Sequence, residues 1–337
     1  MENGIVDLVS FDQGFAWRHW AVWYFLLVGS AVGASLIAFI TTLRDENDPK
    51  VRSALFAAAA LGIAAPFPLL ADLHQPARFM HFYLGAAPDS IMWWGSWFLP
   101  GFVAGLAALV LLYSPFASRF TAYRRYVWYW TTVFAIAVLA YTAGEMTIVR
   151  ARPVWHDLFF PVILTLSALV SGSGAVTIVS AARGEVWDMV RRMLGLGSLL
   201  FVAGILTWIA TGLGKSGTFT ELAVQDHPVS LLFVMTGACG VGVAALAATR
   251  VALLNVVAGI FAVLGALVFR WELFMGAQAQ PKTEAGFLPY SLLADGDALA
   301  GLFGTVGLLV VIVVILSLIL VDEGNGEDAR PASHTTH

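Results

Sequence analysis

The stretch Ala140–Pro161, AYTAGEMTIVRARPVWHDLFFP, decides how the rest of the chain is read. It begins inside an apolar helix and ends in a polar connector. Glu145 reads as the only acidic residue well inside any of the long apolar segments. Tyr141 lies one helical turn before it, at i and i+4, so phenol and carboxylate share one helix face. Polarity returns with Arg150 and Arg152, the first of them roughly 7–8 Å further along at helical rise. A carboxylate at such depth is costly to leave unpaired, which makes it a functional-site candidate.

The composition sets the environment of that helix. Of 337 residues, 59% are hydrophobic and 12% charged, with a mean hydropathy of +0.81. Soluble domains carry about 25% charged residues, so the chain is expected to be an all-α polytopic membrane protein embedded in a lipid bilayer. A net charge of −4 gives no reason to expect a nucleic-acid partner. The N-terminus is polar with an acidic rather than basic start, so no cleavable signal peptide is predicted. The single cysteine, Cys239, sits in an apolar run beside small residues. One thiol holds neither an iron–sulfur cluster nor an internal disulfide, which leaves it a packing role.

Nine apolar segments are predicted, at about 21–43, 53–73, 95–113, 126–149, 155–182, 193–213, 230–249, 251–276 and 298–321. Each is near the ~20 residues a bilayer needs. Residues 1–20 suit an interfacial segment, with Phe15, Trp17 and Trp20 interleaved with Arg18 and His19. Gly29 and Gly33 give the first helix a small-xxx-small face for close packing. Pro66 and Pro68 predict a kink or early unwinding in the second. A connector over 72–95 carries DLHQPARFMHF and then SIMWWGSW, and Arg250 marks a tight turn. Residues 277–297 form a loop, and the acidic, Gly-containing tail 322–337 is expected to be disordered.

Nine spans put the termini on opposite sides. With the N-terminus outside, eleven of the eighteen basic residues fall in inner regions and seven in outer ones, which favours N-out, C-in. His19, His74, His81, His156 and His227 then all lie on the outer side, as do the DLHQPARF connector, the WWGSW run and the RPVWHD connector. The candidate chemistry is concentrated on one face.

No histidine lies well within an apolar segment, whereas a membrane cytochrome b needs such residues as axial ligands. Neither haem nor a resident iron–sulfur cluster is expected in this chain. Any electrons handled here pass between a partner's cofactor and a freely exchanging one such as a quinone. Tyr141 and Glu145 then read as a proton donor–acceptor pair beside a quinone carbonyl. The blander reading is a structural carboxylate paired with Arg150 or Arg270. His19 is either a headgroup contact or an interfacial polar side chain. Asp72 and Arg78 read as a pair that fixes the connector, with Pro76 stiffening it. His74 and His81 lack the companion ligands of a metal site. Trp93, Trp94 and Trp97 suit an aromatic belt, or a flat wall for a ring. Arg270, with Glu272 close by, either pairs Glu145 or snorkels to the interface.

At these residues the chain resembles the NrfD/PsrC family, the membrane anchors of polysulfide-reductase-type complexes. The resemblance rests on Asp72-Leu73-x-x-Pro76-x-Arg78-Phe79, Trp94-Gly95-Ser96-Trp97, Tyr141-Thr142 leading to Arg152-Pro153-x-Trp155, and Arg270-Trp271 followed by Gly276-Ala277-Gln278. It covers about residues 15–280. It implies two four-helix bundles, over 21–149 and 150–276, and a quinone site near the face that docks a ferredoxin-like iron–sulfur subunit. A molybdopterin catalytic subunit would lie beyond that. The family's helix-4 Tyr at the quinone would be Tyr141. Its polar contact in the first turns of helix 1 has no direct match in AVWYF, and His19 or Tyr24 would take its place. The ninth helix exceeds the simplest eight-helix pattern, as in longer tetrathionate-reductase-like anchors.

The reading is therefore a menaquinone- or ubiquinone-reactive anchor in a bacterial inner membrane, N-terminus periplasmic and C-terminus cytoplasmic. Its site residues are Tyr141 and Glu145, with His19, Tyr24, Asp72, Arg78, Trp94, Trp155 and Arg270 around the quinone. The rival is a secondary transporter or channel with an outward-facing cavity, for which inverted repeats with helices broken near the midplane are the usual mark. A purely structural anchor is the third reading.

Overall fold

In lipid a chain must satisfy its backbone groups within its own segments, and helices do so. No strand occurs among the described residues. The computed structural model describes residues 15, 17–73, 75–85, 88–152, 154–185, 187–211, 227–279 and 296–320, with side chains left aside at 118, 211 and 227–234. Helix α1 is His19–Thr42, α2 Pro49–Ala64, α3 Pro66–Asp72, α4 His81–Leu84, α5 Ile91–Tyr113, α6 Arg124–Thr147 and α7 Phe160–Ala182. Then come α8 (Asp188–Thr211), α9 (His227–Ala248), α10 (Ala252–Trp271) and α11 (Gly296–Ile319). A π-helical turn, Glu272–Gly276, prolongs α10. Among the described residues eight stretches, with α2 and α3 counted as one, are long and apolar enough to cross a membrane, and α9 is 22 residues long. The protein is an all-α polytopic membrane protein.

α1 is the central element. It packs on α2, α3 and α6 to one side and on α7 and α10 to the other. α2 meets α5 and α5 meets α6, closing a ring of four helices with α1. α7, α8, α9 and α10 pack in succession, with α10 back on α7, as a second ring. The seam needs glycine. A Cβ on Gly33 would strike the Ala168 carbonyl, and one on Gly172 would come 2.6 Å from the Ala34 amide nitrogen. Of the small-residue face expected on the first helix, Gly33 thus makes a backbone-to-backbone contact, while Gly29 leaves room for Arg270. α11 buries one edge, Ala298, Gly301, Thr305, Ile312 and Leu316, and rests mainly on α2.

Several boundaries differ from the sequence expectation. The proline pair interrupts the second span at Ala65, since Pro66 has no amide to donate. α5 starts at Ile91, so Trp93 and Trp94 belong to its first turn rather than to a connector. α7 starts only at Phe160, because the Asp157 carboxylate takes the Phe159 amide at 2.8 Å and holds the preceding residues in a turn. Trp17, expected at the membrane interface, stacks on Trp155 with ring centroids 5.5 Å apart. Residues 1–14, His74, the side chain of His227, Lys215, Lys282, most of the 277–297 loop and the 322–337 tail lie outside the described residues.

Candidate functional site

Between α3 and α5 lies a cavity of about 460 Å³, lined by Pro66, Leu69, Leu70 and Leu73 on one side and Leu99, Pro100, Val103, Ala104 and Ala107 on the other. Small-molecule sites run about 300–1,000 Å³. Met92 to Ala107 covers about 22 Å of α5 at helical rise, so the hollow is a slot. Pro100 and Ala104 are also exposed, which opens the slot sideways onto the lipid-facing surface. Phe79, Phe82 and Tyr83 line one end of it. Burial there pushes the Tyr83 phenol above its usual pKa.

Three polar side chains enter this apolar slot: Tyr24, Tyr141 and Glu145. Tyr24 is 1% exposed, and its hydroxyl is buried with no hydrogen-bond partner among the described residues. Glu145, 7% exposed, accepts a hydrogen bond from the Tyr141 hydroxyl. All three lie close enough to interact electrostatically. The helical spacing accounts for the pair on α6, and α5 makes room for it. A Cβ on Gly95 would fall onto the Tyr141 ring, 2.6 Å from Cε1 and nearer still to Cζ and Cε2. The glycine in WWGSW is thus the floor on which the Tyr141 ring lies.

The arginine pairing that the sequence left open is not formed. Arg270 neither pairs Glu145 nor snorkels. It is wholly buried, and its Nε donates to the Phe25 carbonyl at 3.1 Å. Its Nη1 donates to Ser167 Oγ at 2.7 Å and to the Ala266 carbonyl at 3.2 Å. Nη2 lies where a Gly29 side chain would begin. Arg150 is exposed, and among the described residues no cation pairs with Glu145.

A second hollow of about 540 Å³ shares Leu73, Phe82 and Met92 with the slot and adds Gln75, Arg78, His81 and Trp93. Arg78 therefore stands at a mouth rather than inside. Asp72 accepts the Arg18 backbone amide at 3.4 Å, so it ties the connector to α1. His19 is buried against Trp20 and Gly301. The Trp94 indole donates to the Pro88 carbonyl at 3.0 Å. Trp155 donates to the Leu273 carbonyl at 2.7 Å. His19, Asp72, Trp94, Trp155 and Arg270 all stand outside the slot's lining.

Two further acids are buried among the described residues, although neither lies well inside an apolar segment as Glu145 does. Asp157, 4% exposed, accepts the Trp208 indole at 3.0 Å and fastens the RPVWHD connector to α8. Glu272, 4% exposed, occupies the π-turn, and its carboxylate fills the space that a side chain on Gly276 would take. Gln278 takes the Trp17 amide at 2.9 Å and donates to the Trp17 carbonyl at 2.8 Å. Arg152 donates to the Ala277 carbonyl at 3.2 Å, and burial lowers its pKa from the usual value. Both acids lie near helix ends, where composition alone suggests exposure; the glycine four residues after Glu272 was the available signal.

Residues 8–282 match the family described as polysulphide reductase, NrfD. The chain belongs to the NrfD family. Among its relatives, a subunit of the tetrathionate reductase of Salmonella typhimurium is 32% identical, over 93% of this chain and 94% of the relative. A subunit of the selenate reductase of Mesobacillus selenatarsenatis is 22% identical, over 79% of this chain and 75% of the relative. The NrfD match stops before α11, whereas the tetrathionate match leaves only 7% of the chain outside and so extends into it.

Proposed function

We propose that this chain is the quinone-reactive membrane subunit of a multi-subunit oxidoreductase, exchanging electrons with an iron–sulfur subunit docked over the slot's mouth. The observation that carries the reading is the slot itself. An apolar, ligand-sized hollow opens to lipid and ends on Tyr24, Tyr141 and Glu145, with the Tyr24 hydroxyl lacking a partner among the described residues. Those features fit a lipophilic ring carrying carbonyl oxygens: apolar walls for the ring, lateral access for a tail, and hydroxyls for the oxygens. They do not favour a transporter, whose polar groups would gather near the midplane between inverted repeats.

A menaquinone or ubiquinone bound there would supply a two-electron, two-proton redox centre. The protein's own contribution is positional. Tyr24 offers a hydroxyl whose hydrogen bond is otherwise unmade, and a buried donor left unsatisfied costs about 1–3 kcal/mol. Tyr141 holds its proton against Glu145, and Glu145 can accept and return one at its carboxylate, as a relay at a carbonyl requires. Leu69, Leu99 and Val103 exclude water from the reacting end. Arg78 and His81 lie at the mouth, where the iron–sulfur partner would sit, with a molybdopterin subunit beyond it. Both named relatives are reductase subunits, which supports that assembly. The basic loops gather at the end opposite the slot, supporting a bacterial inner membrane with periplasmic N-terminus and cytoplasmic C-terminus.

The test replaces Glu145 with Gln, Tyr141 with Phe and Tyr24 with Phe in the intact complex. Quinone-linked turnover should fall about 10²-fold or more for the first, in the range of general acid–base contributions. Inhibitor affinity should fall for the tyrosine variants. Wild-type turnover with unchanged inhibitor binding in all three would end the assignment.

A further inference from the structure

A groove of about 600 Å³ runs between α7 and α8, with its charged head at the end of the molecule opposite the quinone slot. Leu166 and Leu169 of α7 form one wall, and Met193, Leu196 and Leu200 of α8 the other. At its head stand Arg44, just past the end of α1, and Arg192, in the second turn of α8. Among the described residues neither guanidinium has an ion-pair partner. Among the described residues Asp188 is the only carboxylate lining the groove, and Arg191 holds it at 3.1 Å. Asp45, beside Arg44, takes the Asn47 amide of its own loop at 2.9 Å.

We propose that this groove holds an anionic phospholipid, its phosphate between Arg44 and Arg192 and its acyl chains along the leucine walls. Along α8 the lining from Asp188 to Leu200 spans about 18 Å at helical rise, and the whole groove stops short of the ~30 Å hydrocarbon core. That length suits the chains of one leaflet, whereas a partner's transmembrane helix would need an apolar track across the whole bilayer. Arginine suits the headgroup because its planar fork pairs phosphate oxygens two at a time. Basic pockets between helices on the cytoplasmic side are the usual setting for such headgroups. Because Arg44 leaves the first ring of helices and Arg192 belongs to the second, the phosphate would bridge the two rings at the end that the Gly33–Gly172 contact does not reach.

The experiment is native mass spectrometry of the full-length chain in detergent, titrated with phosphatidylglycerol or with phosphatidylcholine. Retention of phosphatidylglycerol over phosphatidylcholine is expected. The double variant Arg44→Gln/Arg192→Gln should weaken phosphatidylglycerol by about ten- to thirtyfold, with phosphatidylcholine unchanged. Arg119→Gln is the control: Arg119 lies at the same end, stacks on Phe120, and is not on the groove. Leu196→Trp fills the groove without touching a charge and should also displace phosphatidylglycerol, so the proposal stays testable if the double variant fails to insert. Equal binding of both lipids, or equal phosphatidylglycerol affinity in all variants, would overturn it. So would displacement by millimolar inorganic phosphate, or loss of a co-purifying chain rather than a lipid.

Discussion

Gly95→Ala is the most informative single substitution, because it adds one methyl group and removes no functional atom. The new Cβ would sit 2.6 Å from Tyr141 Cε1, and closer to two further ring atoms. Carbon atoms rest at about 3.5–4.0 Å, so the ring or the helix must yield by about 1 Å or more. Overpacking of this kind costs about 1–3 kcal/mol of stability, and a higher helix propensity returns up to ~1 kcal/mol. A shift of about 1 Å in a positioned group can cost on the order of 10²-fold in rate, or ~2.7 kcal/mol of barrier. The assay is quinol-linked turnover and inhibitor titration of the intact complex, with thermal melting as the check on folding. Gly144→Ala is the matched control. It lies beside Glu145 on α6, yet its Cβ would meet only Ile91 Cδ1, at 3.7 Å. Turnover should fall about 10²-fold for Gly95→Ala and stay near wild type for Gly144→Ala. Equal turnover and equal inhibitor affinity in the two variants would refute the placement of the site against Tyr141.

Ala104→Phe should fill the slot where it meets lipid, weakening a tailed inhibitor by about tenfold or more, as the loss of one aromatic ring's space implies, with the melting midpoint nearly unchanged. Trp155→Phe removes the indole bond to the Leu273 carbonyl and should cost about 1–2 kcal/mol in melting experiments. Its inhibitor affinity should remain that of the wild type, since Trp155 is outside the slot. Gly29→Ala puts a methyl 2.7 Å from Arg270 Nη2 and should destabilise by about 1–3 kcal/mol, measured as a lowered melting midpoint.

How much of this was legible in the sequence depends on which coordinate of a residue is asked for. Depth was legible. Glu145 stood out because its neighbours are apolar, and Tyr141 joined it through the i,i+4 spacing alone. Azimuth was not. Trp155, His19 and Arg270 were placed at the right end of the bundle, but each faces another part of the interior. Trp155 turns to the π-turn, His19 to α11, and Arg270 to Ser167. Partners distant in sequence decide such directions. The same reason hides Asp157 and Glu272, whose burial is set by Trp208 and by the empty side of Gly276. The prolines of the second span announced a break, but nothing local says that the segment beyond it becomes one wall of a cavity. The glycine of WWGSW was visible as part of a motif, and only the packing of α5 on α6 shows what it accommodates.

Glu145 and Arg270 are the informative pair because they are not a pair. Removing a charge from water is expensive, and their mutual neutralisation would have been the simplest compensation for both. Each is instead surrounded by neutral groups, Glu145 by one phenol and Arg270 by two carbonyls and a serine. Helix adhesion through opposite charge therefore does not explain either residue. What links them is α1. Arg270 holds the carbonyl of Phe25, and the residue before it is Tyr24, whose hydroxyl reaches the slot. Successive residues on a helix point about 100° apart, so one turn of α1 presents its backbone to the buried guanidinium and its side chain to the proposed quinone. A displacement at Gly29 or Arg270 must pass through that turn before it reaches the site. The rigid element nearest the slot's polar end is thus set by the second ring of helices, although no side chain lining the slot comes from that ring.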